Sequence, residues 1–458
     1  MYYYQPRTFK LLTLLLLFSL SLANLYASVT KENLNKNYKI IAYYPEWGIY
    51  KSHNYYLPSS VPFEKITHLH YAFATIKDGK IAHFDKYAAV EIAHGEDSNS
   101  SYRGNLGQFK KLKKNYPHLS FIISIGGWTQ SGNFHDVAAS QYARDRFASS
   151  VVQYLRKYDM DGIDIDWEFP GFYRVANIAD NPFDQGTPKA DKSEKETYTL
   201  LLQNLRKHLD IASKEDKKYY QLSVAVSPIP SHIELTEPEK YEKYIDYITL
   251  MTYDMHGPWD STSNHQTALY THPCAFDEMN IDTVVKRFIS LGINPKKLNI
   301  GTPFFARGWR EVNNRKYAPK WFDSLYKSIK CWIVHDTSLS QSEGLFRVAN
   351  GGVKGLWDSG TAYTGIHPYY HIVKLEDDKE YKKYYDKTAS ATYLYNKKRA
   401  EMYSYEDRQS LLKKTEYIKE HHLGGIAIWE ITGDTAQNSN QNLLNLLYNR
   451  LLLNFINK

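Results

Sequence analysis

Short apolar runs recur along the chain, separated by helix-length stretches of amphipathic character. Eight runs stand out: Ile40–Tyr44, Ile66–Phe73, Phe121–Ile125, Gly162–Trp167, Leu222–Val226, Tyr247–Met251, Leu298–Thr302 and Gly425–Trp429. Between them lie helix candidates at Gln141–Lys157, Lys192–Ala212, Ile281–Leu291 and Gln409–His421, with a last one at Asn442–Phe455. Strands that alternate with helices predict parallel pairing through right-handed crossovers. Eight such units predict a closed (β/α)8 barrel. The competing architecture is a doubly wound open sheet. It would place a glycine-rich phosphate loop after the first strand, where this chain has Tyr43-Tyr44-Pro45-Glu46-Trp47. The rhythm breaks between the seventh and eighth runs. Residues 308–400, rich in Tyr, Trp and Lys, are too long for a plain loop and predict a small inserted domain on the C-terminal rim of the barrel.

The N-terminus has a different character. Arg7 and Lys10 precede an apolar stretch from Leu11 to Leu20, and Ala23 and Ala27 offer small residues for cleavage. This pattern predicts a signal peptide over residues 1–27, too short for a comfortable span of ~20 residues. An uncleaved anchor is the alternative. Either way the body of the protein is expected outside the cytoplasm, secreted or periplasmic, with no stable membrane span in the mature chain. The expected organisation is a leader at 1–27, barrel at 28–307, insertion at 308–400 and barrel again at 401–458.

Composition narrows the functional classes. Hydrophobic residues make up 43% and charged residues 23%, which excludes global disorder. The net charge of +7 comes from 57 basic and 50 acidic residues without a dense block, so no nucleic-acid partner is expected. Aromatics reach 15%, a mild pointer to ligands on which rings can stack, such as sugars. Cys274 and Cys331 allow one disulfide or two free thiols. No Cys or His cluster has metal-ligand spacing, so neither a metal nor a cofactor is expected.

The most informative stretch is Asp161-Gly162-Ile163-Asp164-Ile165-Asp166-Trp167-Glu168. Alternation puts Asp164, Asp166 and Glu168 on one face, roughly 7 Å apart, and Ile163, Ile165 and Trp167 on the other. In a barrel the apolar face meets the helices and the acids line the interior. Crowded carboxyls in a low-dielectric interior raise at least one pKa, which suits a general acid. Glu168, the last of the three, takes the proton-donor role. A solvated edge strand and a hard-cation site are the alternatives to catalysis.

This segment resembles the DxxDxDxE signature of family 18 glycoside hydrolases, the chitinase family. The resemblance extends over most of the mature chain. Ser124-Ile125-Gly126-Gly127-Trp128 is similar to the third-strand segment, Met251-Thr252-Tyr253-Asp254 to the sixth, Gly425 to Glu430 to the eighth, and Tyr43 to Tyr50 to the first strand and loop. The insertion resembles the α+β chitin-insertion domain. The resemblance therefore implies a (β/α)8 TIM barrel with an inserted small α+β domain between strands seven and eight.

The resemblance also implies roles. Glu168 would protonate the glycosidic oxygen of chitin or a chitooligosaccharide, and the substrate's own acetamido group would attack the anomeric carbon. Asp166 would hold the acetamido nitrogen, Tyr253 would donate to the acetamido oxygen, and Asp164 would share a proton with Asp166. Trp429, Met251 and Asp254 would line the reacting subsite. Trp128 and Trp259 would serve more distant subsites, and Arg307 would reach the groove after strand seven. Phe305-Ala306 stands where relatives commonly carry Tyr-Gly, so one hydroxyl contact is lost there. Ser124 would brace the deep carboxylates, Gly126 and Gly127 would permit a tight turn, Asp161 would fix the strand end, and Tyr44 would sit near Asp166. A monomer is expected. Two other functions stay open: cleavage of the chitobiose core of N-linked glycans, and sugar binding without catalysis.

Overall fold

The computed structural model describes residues 37–94, 102–275, 277–312 and 343–453. The leader and Cys331 lie outside these residues, and with Cys331 the question of its pairing with Cys274. Eight parallel strands form the barrel: β1 (Lys39–Pro45), β2 (His68–Lys77), β4 (Ser120–Gly126), β5 (Gly162–Asp166), β6 (Gln221–Val226), β7 (Tyr247–Leu250), β8 (Leu298–Pro303) and β14 (Gly425–Trp429). A short strand, β3 (Lys80–His83), folds back antiparallel on β2. β1 pairs with both β14 and β2, which closes the ring. Each of the eight apolar runs falls on one barrel strand, so the expected barrel is borne out.

The crossover helices begin where capping chemistry permits. Gln141–Tyr158 is capped by the Ser140 hydroxyl, which accepts from the Ala143 N–H. Ile281–Ser290 is capped by Asn280, and Arg408–Glu420 by Asp407 with Ser410 reciprocating. The last predicted helix is shorter than expected. Leu443–Leu447 is α-helical, Tyr448–Leu452 loosens into a π turn, and Leu453 is extended, so the segment stops before Phe455.

β5 separates its side chains as alternation requires. Ile163, Ile165 and Trp167 are buried against the helix layer, and Trp167 stacks on Phe134 (5.1 Å) and meets Tyr198 edge-on (5.7 Å). Asp164 and Asp166 enter the barrel. Register then places Ser124 of β4 and Ser223 of β6 directly beside Asp164.

A second, antiparallel sheet stands on the barrel between β8 and β14. It comprises β9 (Phe305–Trp309), β10 (His367–Pro368), β11 (Lys382–Asp386), β12 (Ala391–Asn396) and β13 (Glu401–Tyr405), in the spatial order β10-β9-β13-β12-β11. Trp309, Tyr393, Tyr395 and Met402 form part of its own core. Only Phe304 separates β8 from β9. Its N–H donates to Trp429 O (2.8 Å), and its carbonyl accepts from the Tyr369 N–H (2.9 Å).

The chain returns to the barrel through a fully buried ion pair, Glu406 with Lys414. Thr302 of β8 donates to the Glu406 carboxylate (3.1 Å), and Lys414 Nζ donates to Thr267 Oγ1 (2.7 Å). Removing one partner strands a buried charge. Lys414→Met should therefore lower the unfolding free energy by about 3–5 kcal/mol in urea titrations, and Lys414→Met/Glu406→Gln should recover much of it. Equal losses in the single and double variants would show that the pair is not the source.

Candidate active site

The three carboxyls of β5 and its exit meet three different environments. Asp164 lies deepest and is fully buried. Tyr43 Oη (2.9 Å) and Ser124 Oγ (2.9 Å) donate to its Oδ2, Ser223 Oγ (2.6 Å) donates to its Oδ1, and His70 Nδ1 lies 3.4 Å from Oδ2. Burial alone would raise its pKa. The His70 charge interaction and the three-sided hydrogen bonding outweigh burial and hold it below the ordinary aspartate value.

Asp166, one step nearer the mouth, is also buried, yet its Oδ1 has no hydrogen-bond partner among the described residues. Burial, then the charges of Glu168 and Asp164, push its pKa well up. Glu168 lies just past the strand and is half-buried. Its pKa is pushed up to about 8, first by burial; Arg174 acts against the shift and Asp254 adds to it. Asp166 and Glu168 thus titrate as a pair that retains a proton near neutrality.

A single hydroxyl sets the exit of β5. Ser131 Oγ accepts from the Glu168 N–H (2.8 Å) and faces Gly127 O (2.9 Å) and Asp166 O (3.2 Å) as donor. Gly126 (φ +111°) and Gly127 (φ +83°) make this approach possible, since a Cβ on Gly126 would lie 2.1 Å from Asp166 O.

Around this column stand the other expected residues. Tyr253 is half-buried, meets Phe305 edge-on (6.2 Å) and packs beside buried Met251. Burial, then Asp166 and Glu168, push its hydroxyl pKa up, so it remains a donor. Trp429 lies across the mouth, stacked on Phe73 (5.6 Å) and edge-on to Tyr43 (5.6 Å) and Trp47 (6.3 Å). Arg307 grips Asp254 with two hydrogen bonds (2.6 and 2.7 Å), and its guanidinium lies 5.1 Å from the Trp259 ring. Trp128 and Trp259 are 38% and 57% exposed, available to a ligand.

Two expected residues stand away from the carboxyl column. Asp161 is at the opposite end of β5, where it accepts from the Phe121 N–H (2.7 Å) and pairs with Lys113 (2.6 Å) and Lys218 (3.0 Å). Tyr44 is not near Asp166, and that expectation is corrected. Its ring packs outside the barrel against Phe109 and Tyr71, and its hydroxyl donates to Tyr56 O. The inward neighbour is Tyr43, because consecutive strand residues face opposite ways. His70, Ser223 and Arg174 were also missed. Inward parity on β2 and β6 marks the first two; no local signal marks Arg174. Among the described residues no group of three or more His, Cys, Asp or Glu forms a metal site.

The sequence profile described as Glycosyl hydrolases family 18 matches residues 39–434. The chain belongs to this family. Chitinase A1 of Niallia circulans is 31% identical over 446 residues, covering 88% of this chain and 58% of that protein. The probable endochitinase of Orgyia pseudotsugata multicapsid polyhedrosis virus is 31% identical over 451 residues, covering 91% and 72%. Chitinase ChiA74 from Bacillus thuringiensis superposes with a TM-score of 0.76 at 30% identity, covering 90% of this chain and 69% of that one. This family 18 chain therefore spans less than two thirds of the Niallia relative.

The raised pKa of Glu168 carries a stability consequence. An unfolded glutamate ionises near 4.5, whereas the folded one holds its proton to about 8. The unfolded state binds fewer protons between these values, so stability falls as pH rises through that window. Glu168→Gln cannot ionise. Its Tm should therefore gain on the wild type from about pH 4.5 to about 8, then run parallel above it. Parallel curves throughout would contradict the shift.

Proposed function

We propose that this family 18 protein hydrolyses β-1,4 linkages between N-acetylglucosamine units in chitin or chitooligosaccharides, with retention of configuration. The observation that carries the reading is Glu168 at the groove, its pKa pushed up to about 8, above a buried Asp166 whose Oδ1 has no partner among the described residues. Glu168 donates its proton to the glycosidic oxygen, and the leaving sugar departs as an alcohol. The acetamido oxygen of the remaining sugar closes on C1, giving an oxazolinium ion. Asp166 Oδ1 takes the acetamido N–H and offsets the positive charge. Tyr253 donates to the acetamido oxygen. The Glu168 carboxylate then removes a proton from water, which attacks C1 and restores both the acetamido group and the acid. Such substrate assistance requires no carboxylate nucleophile at the ~5 Å separation of ordinary retaining enzymes.

Contrary to expectation, Asp164 does not share a proton with Asp166: it stays ionised in its hydroxyl cradle, and its charge helps keep a proton on the pair above. Trp429 supplies an apolar floor for the sugar's C–H face. The Arg307–Asp254 pair fixes a carboxylate beside the scissile bond, and Trp128 and Trp259 offer stacking faces further along. The leader directs the protein to a secreted or periplasmic location, where it acts as a monomer. Among the described residues no helix is long and apolar enough to cross a membrane.

Glu168→Gln should lower kcat on chitohexaose by about 10²–10⁴ while leaving chitohexaose affinity, measured by calorimetry, nearly unchanged. An unchanged kcat would remove Glu168 from the acid role. Replacing the acetamido group of the reacting sugar by a free amine should abolish turnover. Undiminished hydrolysis of that substrate would end the substrate-assisted mechanism. Running a chitobiose-core glycopeptide alongside separates chitin chains from N-glycans as the substrate.

A further inference from the structure

The long loop after β5 carries a feature outside the catalytic column. Residues 174–187 fold back on themselves: the Arg174 N–H donates to Thr187 Oγ1 (2.7 Å), and the Thr187 N–H donates to Arg174 O (2.9 Å). The buried Asp184 carboxylate takes both terminal nitrogens of Arg174 (2.6 and 2.9 Å) and the N–H groups of Asn177 (2.6 Å) and Gly186 (2.8 Å). The tip is not held by apolar packing, since Ile178 is 69% and Phe183 is 83% exposed.

Its ties are polar and run to two sides of the mouth. On the side of β4, Arg174 Nη2 donates to Trp128 O (2.6 Å), and Asn181 Nδ2 donates to Thr129 Oγ1 (3.3 Å). On the side of the insertion, Ser359 Oγ donates to Ala179 O (2.8 Å). β4 is the third strand of the barrel and β8, which carries the insertion, is the seventh. In a ring of eight these lie opposite each other. The loop after β5, tied to the β4 side and through Ser359 to the insertion, therefore spans the mouth between opposite sides of the barrel. Arg307 belongs to the far wall of this ring, because its Nη1 donates to Thr364 O in the same insertion segment as Ser359 (3.3 Å). Glu168 feels the charges of both Arg174, on the loop after β5, and Asp254, the partner of Arg307.

We propose that residues 174–187, bonded to Ser359, form a strap that turns the groove into a covered passage which a linear sugar chain enters end first. The protein then acts on chain ends and on short soluble oligosaccharides, not on the interior of a polymer. The proposal rests on the glycosidase reading above. Its core is topological: a polymer can lie sideways in an open groove, but its interior reaches the inside of a closed ring only by threading or by opening the ring.

The test compares wild type, Ser359→Ala, and a variant with residues 177–183 replaced by Gly-Gly between Ala176 and Asp184. Circular dichroism and Tm check that each is folded. The substrates are carboxymethyl-chitin, followed by viscosity and by reducing ends, and chitohexaose, followed by product analysis. Wild type should release reducing ends with little loss of viscosity. The shortened variant should lose several-fold more viscosity per reducing end. Ser359→Ala, which loses the hydroxyl that bonds Ala179 O and Asp180, should raise the open population by at least about fivefold and fall between them. All three should still cleave chitohexaose. Equal viscosity loss per reducing end in wild type and the folded variants would overturn the strap. If the shortened variant does not fold, the Ser359→Ala comparison decides alone. No cleavage of chitohexaose by any of the three would count against the glycosidase reading instead.

Discussion

The site depends on two carboxyls being forced into one barrel by the alternation of a single five-residue strand, with a third held at its exit. The apolar side chains of β5 have one place to go, the helix layer, and this commits the acids to the interior. The interior then treats them unequally. Asp164 is met by three hydroxyls and keeps its charge, Asp166 is left with an unpaired oxygen, and Glu168 meets the groove. Solvation by protein groups thus falls away above Asp164, and the two carboxyls above it hold a proton more tightly than it does. One buried negative charge at the base makes a second unfavourable above it. That is the condition an acid catalyst needs at neutral pH.

The sequence is most legible where the chemistry is local. Eight apolar runs locate eight barrel strands because each buried parallel strand needs a continuous apolar segment. The carboxyl column is legible because period-two alternation is short-range. Tyr44 shows how narrow that margin is. A shift of one residue along β1 exchanges the inside for the outside, and the tyrosine that reaches Asp164 is Tyr43. His70 and Ser223 join the site through register between distant strands, which no single segment encodes. Arg174 is further still from legibility. Its partners are Asp184 and the carbonyl of Trp128, residues brought together only once the loop after β5 has folded. The final helix loosens into a π turn although its apolar residues continue.

The rim above the column is built from paired charges rather than single ones. Arg307 with Asp254 and Arg174 with Asp184 each form two-point contacts, and each guanidinium also lies over an exposed tryptophan, Trp259 and Trp128 respectively. The planar cation holds its own carboxylate and steadies a ring at the same time. Two stacking faces are thereby fixed before any ligand arrives, which reduces the ordering cost of binding.

The one-residue link at Phe304 has a mechanical consequence. Its amide is bonded to the strand that ends in Trp429 and its carbonyl to the start of the helix Tyr369–Glu376 in the insertion. Wall and floor are thereby fused at a joint with almost no rotational freedom, where many enzymes keep a hinge. The cleft cannot adjust its width by swinging the insertion. Accommodation of sugars of different bulk then falls to side-chain rotamers along the rim and to the strap after β5.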